Sequence, residues 1–197
     1  MHIGTVLIGL GNIGTQYNNT RHNVGFSIID SFLRDVENRN DYILQTTSIK
    51  KINGLVWRIT SPYGIVLVCK PLTYMNASGE CVAPLLSYYS LSPSSLFIIH
   101  DELDISLGKY RIKYGGGDAG HNGLRSISSK LGTNEYSRLR IGIGRPTIQG
   151  YSIANWVLGQ FTKEEQNIIN SITSHVINCI YAFIEGGFEK AKYESNR

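Results

Sequence analysis

Three ionisable residues and four neutral amides are the chemistry-bearing candidates. His22 follows the polar, turn-like stretch Thr15–Arg21 and opens a helical pattern of apolar residues. A neutral imidazole there can take a proton from water near physiological pH; a single histidine at a helix start more commonly only hydrogen-bonds. Asp101 closes the apolar run Leu96–His100, and the carboxyl ends of strands are where α/β sheets gather their sites. A carboxylate in that place can orient an imidazole and stabilise its protonated form, or simply cap a loop. Asn12, Asn23, Asn76 and Asn122 each offer donors and acceptors without charge, and each also suits a turn or a helix cap. His121 follows a glycine-rich loop and opens a helix, so it either touches a substrate or caps that helix; the cap is slightly favoured.

Other chemistries find no footing. There is no HExxH, no His/Cys cluster and no GxSxG elbow, so neither a metal nor a serine acyl-enzyme is expected, and no cofactor is called for. Cys69, Cys81 and Cys179 are odd in number, widely spaced and set among apolar residues, which fits buried free thiols in a reducing compartment. Gly9-Leu-Gly-Asn-Ile-Gly14 satisfies the dinucleotide pattern GxGxxG. However, residues 15–21 separate it from the next helix, and Asp30 and Asp35 lie on that helix instead of ending a second strand. Glycines that let a loop approach a ligand closely account for the motif as well.

The elements that must position these groups alternate along the chain. Thr5–Leu10 reads as a buried strand. His22 to about Val36 carries a helical stripe through Val24, Phe26, Ile28, Ile29, Phe32 and Leu33. Leu55–Thr60 and Ile65–Lys70 flank Ser-Pro-Tyr-Gly as a hairpin. Asn76 to about Tyr89 is expected to be a helix that Pro84 kinks or restarts. Leu96–His100, Lys109–Tyr114 and Arg138–Ile143 read as strands, and Asn122–Leu131 as a helix stopped by Gly132. Thr162-Lys-Glu-Glu165 is a capping box opening a long helix to about Glu185, where Gly186-Gly187 ends it and a short helix follows. The order predicts an α/β fold: one domain over residues 1–197, with a twisted mixed sheet flanked by helices on both faces.

Composition agrees with that reading. With 42% apolar and 17% charged residues, the chain has an ordinary soluble makeup. No apolar run reaches the roughly 18 residues of a membrane span. The N-terminus lacks a basic leader and cleavage site, so a cytoplasmic location is expected. The net charge of +4 is unevenly placed: residues 108–146 hold eight Lys/Arg against two Asp/Glu. Alternation puts Lys109, Arg111 and Lys113 on one face of a strand, and Arg138 with Arg140 on one face of another. Such a stretch is either a polyanion-binding face or a solvated basic surface.

Four blocks in order carry a resemblance: Gly9–Gly25 (GLGNIGTQYNNTRHNVG), Lys70–Gly79 (KPLTYMNASG), His100–Asp104 (HDELD), and Gly115–Leu124 (GGGDAGHNGL) followed by Arg138–Gly144 (RLRIGIG). Over residues 5 to about 160 the sequence resembles the bacterial peptidyl-tRNA hydrolases, with Ile13 where that family usually has Pro. The resemblance implies hydrolysis of the ester joining a peptide to the 3′ ribose of tRNA. In that reading Asp101 orients His22 as general base on water, and Asn76 holds the water or the oxyanion. Asn12 and Asn122 grip the peptide, and Asn23 and His121 are grouped with them as substrate-binding; Tyr17 and Met75 line the same cleft or serve in packing. Lys113 and Arg140 clamp the tRNA 5′-phosphate, with Arg111 on the neighbouring backbone, by charge and not by base sequence. The partner is thus peptidyl-tRNA and no membrane, and a monomer is expected. The alternatives are a non-catalytic RNA-binding relative of the same fold, which would keep the basic face, and a dinucleotide-dependent oxidoreductase resting on residues 9–14.

Overall fold

The computed structural model describes residues 3–197; His2, to which no role was attached, lies outside them. One seven-stranded sheet runs in the order β2-β3-β4-β1-β5-β7-β6. Its strands are β1 (Ile3–Gly9), β2 (Ile43–Thr47), β3 (Gly54–Ser61), β4 (Gly64–Pro71), β5 (Leu96–Glu102), β6 (Tyr110–Tyr114) and β7 (Ser137–Gly142). The central strands β4, β1, β5 and β7 are parallel, whereas β2, β3 and β6 join antiparallel at the edges. The sheet is therefore mixed, as expected from the hairpin-like neighbours.

Continuous apolar runs in β1 and β5 follow from burial on both faces, because helices cover each side of a parallel sheet. Leu7, Phe97 and Ile99 face α1 (Val24–Glu37) and α5 (Lys163–Glu194), where Phe97 stacks on Phe183 at 4.1 Å. Val6, Ile8, Leu96 and Ile98 face α2 (Gly79–Tyr88) and α3 (Asn122–Leu131). A short α4 (Ile153–Leu158) stands apart from both layers. The capping box at Thr162 and Glu165 is present, and α5 is broken at Gly186 and Gly187, the latter at φ 69°. No helix of the described residues is long and apolar enough to cross a membrane.

Some local expectations change. The segment at His22 begins as a 3₁₀ turn over Arg21–Asn23, and α1 proper starts at Val24. A second 3₁₀ turn, Met75–Ala77, precedes α2. Pro84 lies inside α2 without ending it; the carbonyl it strands, four residues earlier, belongs to exposed Glu80, where water can satisfy it. Strand β2 and helix α4 are additional elements. The former is an edge strand with mostly exposed residues, so it leaves no burial period to read, and the latter is shorter than two turns.

Candidate active site

The loops at the carboxyl ends of β1, β4 and β5 meet the starts of α1 and α3. Packing against the first helix explains Gly9 and Gly11 of the GxGxxG string. A Cβ on Gly9 would lie 2.6 Å from the Gly25 carbonyl oxygen, and one on Gly25 would lie 2.4 Å from that of Ile99. These glycines allow α1 to settle onto β1 and β5, so what they approach is the protein's own helix and not a ligand. Gly11 serves the same contact, against the ring of Phe26.

The amides then fix the loops. The backbone N–H of Asn12 donates to Asn23 Oδ1 at 2.8 Å, and Asn23 Nδ2 donates back to the Asn12 carbonyl at 3.0 Å. Asn12 Oδ1 accepts from the backbone N–H of Met75 at 2.8 Å. Asn23 is buried and spends both ends of its amide on backbone, so its place is structural and it lines no part of the cleft. This corrects its expected substrate-binding role. Asn12 ties the β1 loop to the β4 loop, which leaves its Nδ2 as the donor for anything in the cleft.

At the centre lies Asp101, 3% exposed. A single oxygen, Oδ1, meets His22 Nδ1 at 2.8 Å and His121 Nε2 at 2.9 Å. His121 is the N-cap of α3, and its Nδ1 accepts from the backbone N–H groups of Gly123 and Leu124 at 3.2 and 3.4 Å. That leaves the proton of neutral His121 on Nε2, donated to Asp101. His22 likewise donates its Nδ1–H to the carboxylate, and its Nε2 is the nitrogen available to the cleft. Burial alone would raise the Asp101 pKa, but the two imidazoles and their N–H groups hold it well below the usual carboxylate range. His100, beside it, is pushed down to about 3 by burial and by the neighbouring His121; its Nδ1–H donates to the Asp101 carbonyl at 2.7 Å. His22, Asp101 and His121 are close enough together to hold a metal ion. Coordination through His121 Nε2 would leave that ring with no proton, since its other nitrogen already accepts from backbone. The trio is built for hydrogen bonding.

Two cavities flank His22. One, of about 150 Å³, is bounded by Asp101, Leu103, Ala119 and His121; the other, of about 390 Å³, by Asn12, Tyr17, Tyr74, Met75 and Asn76. His22, Asn122, Ala154 and Val157 line both, so they form two halves of one cleft with the candidate base at the waist. Tyr17 meets Tyr74 edge to face at 6.4 Å. Of the nine residues expected around the cleft, all but Asn23 border it. Helix α4 was missed as a wall, although Ser152 as an N-cap before Ile153, Ala154 and Val157 is a legible signal. Arg21 was missed too: it is buried, bonds Glu165 Oε2 at 2.7 Å and lies 3.8 Å over the Trp156 ring.

The basic stretch resolves into distinct parts. Strand register sets Arg111 opposite Arg140 and Lys113 opposite Arg138, so all four belong to one face of the sheet. Arg138 is buried, donating to the carbonyls of Gly116 and Gly117 at 2.6 and 2.7 Å. It holds the glycine-rich loop and is withdrawn from the surface. Arg140 donates through Nε to buried Glu102 at 2.9 Å. Arg125 and Arg145 pair with Asp118 and Asp104. Lys109, Arg111 and Lys113 form no ion pair among the described residues.

A three-layer α/β domain with a carboxylate-oriented imidazole in a cleft at the strand ends has the layout of a hydrolytic enzyme. A family model described as peptidyl-tRNA hydrolase matches residues 6–197. The chain is 42% identical over 198 residues to the peptidyl-tRNA hydrolase of Desulfovibrio desulfuricans, covering 97% of this chain and 83% of that one. It is 42% identical over 194 residues to that of Bacillus subtilis, covering 97% of each. The crystal structure of the Acinetobacter baumannii peptidyl-tRNA hydrolase superposes with a TM-score of 0.87 at 33% identity, over 100% of this chain and 97% of that one. The chain belongs to the peptidyl-tRNA hydrolase family and is an enzyme of that type.

Proposed function

We propose that this enzyme cleaves the ester between a peptide and the terminal ribose of tRNA by direct attack of water. His22 Nε2 takes a proton from a water in the cleft as its oxygen bonds to the ester carbonyl carbon. Asp101 aims the ring and stabilises the imidazolium that forms. The neutral amide of Asn76, on the wall of the larger cavity, holds the water or the developing oxyanion. Collapse breaks the carbonyl–ribose bond, and the proton on His22 passes to the leaving ribose oxygen. The products are a peptide carboxylate and a free 3′ end. Asn12 Nδ2 and Asn122 would engage the peptide's alternating donors and acceptors. Lys113 and Arg111, with Arg140 beside them, would seat phosphates without reading bases.

The observation that carries this reading is the 2.8 Å contact between His22 Nδ1 and Asp101 Oδ1, made across 79 residues of sequence, with the second ring nitrogen toward the cleft. A non-catalytic RNA-binding relative would have no use for it. His22→Ala should lower turnover of an N-acetylated aminoacyl-tRNA by about 10²–10⁴-fold while tRNA binding persists. Turnover near the parent level would remove His22 from the mechanism.

A further inference from the structure

The contact between His121 and Asp101 is not needed to aim His22, because one imidazole and one carboxylate suffice for that. We propose that His121 is a positioning residue that joins the N-terminus of α3 to the carboxylate behind the base, and that it thereby sets how basic His22 is. The inference rests on the water-attack reading above.

The geometry assigns each end of the ring a different task. Nδ1 receives two backbone N–H groups at the first turn of α3, where the helix carries its positive end. Nε2–H delivers that polarisation to the oxygen His22 also uses. A hydrogen bond to an ionised carboxylate draws charge from it. Asp101 therefore stabilises a protonated His22 less than it would with His22 as its only partner.

The surrounding charges are otherwise occupied. On β5, Glu102 pairs with Arg140 of β7, and His100 is buried against the His121 ring at 4.9 Å. Arg138 of β7 is held by loop carbonyls, and Asp118, ahead of α3, pairs with Arg125. Arg21, next to the base, pairs with Glu165 of α5, and α4 (IANWV and Leu158) carries no ionisable side chain. Asp101 and His121 are thus the groups with direct leverage on His22.

Two substitutions separate the tasks of the ring. His121→Asn places an amide oxygen where Nδ1 stands, so α3 keeps a good cap, but it does not reach Asp101. His121→Gln places an amide N–H where Nε2 stands, so Asp101 keeps its second donor while the cap weakens. The experiment is the pH profile of kcat/KM on an N-acetylated aminoacyl-tRNA, with thermal unfolding of the same full-length variants. His121→Asn should melt close to the parent and show its acid limb moved upward by about one pH unit, with activity recovering at higher pH. His121→Gln should melt roughly a few degrees lower and keep the parent limb. An unmoved limb in His121→Asn would overturn the inference, leaving His121 as a cap only. A raised KM with unchanged kcat and limb would overturn it in favour of direct substrate contact. If His121→Asn does not fold, a shifted limb in His121→Gln would overturn it equally. Activity in His22→Ala would instead refute the underlying mechanism, so the two failures are distinguishable.

Discussion

Replacing Asp101 by Asn changes charge with little change of shape, and the site makes the consequence calculable. One carboxylate oxygen accepts both imidazole N–H groups; an amide oxygen in that place keeps both contacts and the His22 tautomer. On the proposed mechanism, what disappears is the negative charge facing the imidazolium of the transition state. Two unit charges about 4 Å apart in a medium of effective dielectric about 20 interact by about 4 kcal/mol. Losing that term lowers kcat on the order of 10³-fold. A second, directional effect accompanies it. Without the anion, His22 holds its proton less tightly, so the acid limb of the pH profile should move to lower pH even as the plateau falls. Peptide release from an N-acetylated aminoacyl-tRNA, followed from pH 5 to 8 or so, reads both. A loss smaller than about tenfold, or a limb that moves upward, would refute the assignment of Asp101 as the electrostatic partner of the base.

Three further outcomes test the surroundings of the site. Lys113→Ala should weaken tRNA binding and reduce the slope of log K against log salt by about one, without loss of stability; an unchanged slope would place the phosphates elsewhere. Arg140→Ala should do the same and also lower the unfolding free energy by about 3–5 kcal/mol, because buried Glu102 loses its partner; an unaltered melting temperature would show that Glu102 finds another. His100 has a folded pKa of about 3 against about 6.5 for an unfolded histidine. Between those values the folded state binds one proton fewer. Its stabilising contribution is therefore complete above pH about 6.5 and falls by up to about 1.4 kcal/mol per unit as pH drops toward 3. His100→Asn keeps an N–H for the Asp101 carbonyl and should flatten this part of the urea-midpoint profile between pH 7 and 5; an identical profile would assign the slope to other groups.

Much of the architecture was legible because burial leaves a period. The β1 and β5 runs, the Asn122–Leu131 helix with its glycine stop and the Thr162 capping box each follow from local rules that the tertiary structure does not override. Elements that gain little from burial were not legible: β2 is an edge strand, and α4 presents its apolar residues to the cleft. At the site, residue types singled out His22 and Asp101, but their meeting is a long-range contact that only the resemblance implied. Asn23 shows the limit most clearly. An asparagine that clasps a backbone and one that grips a substrate look identical in sequence, and only the location of the Asn12 main chain separates them. Arg138 and Arg140 make the same point for charge, since one supports a loop from beneath while the other leans on Glu102.

The contacts of Arg21 bear on how the cleft can move. Residues 19–21 are laced to residues 159–161 by main-chain hydrogen bonds, among them Arg21 N–H to the Gly159 carbonyl at 3.0 Å and Phe161 N–H to the Asn19 carbonyl at 3.1 Å. The Arg21 guanidinium is sandwiched against Trp156 and anchored on Glu165 at the head of α5. Neighbouring residues of one short turn thus point in opposite directions, one gripping the groove's outer wall and the other setting its imidazole in the cleft. Wall and base form a single mechanical piece, so an outward swing of α4 would drag the imidazole off its carboxylate. The width of the groove and the orientation of the imidazole are therefore coupled through this one turn.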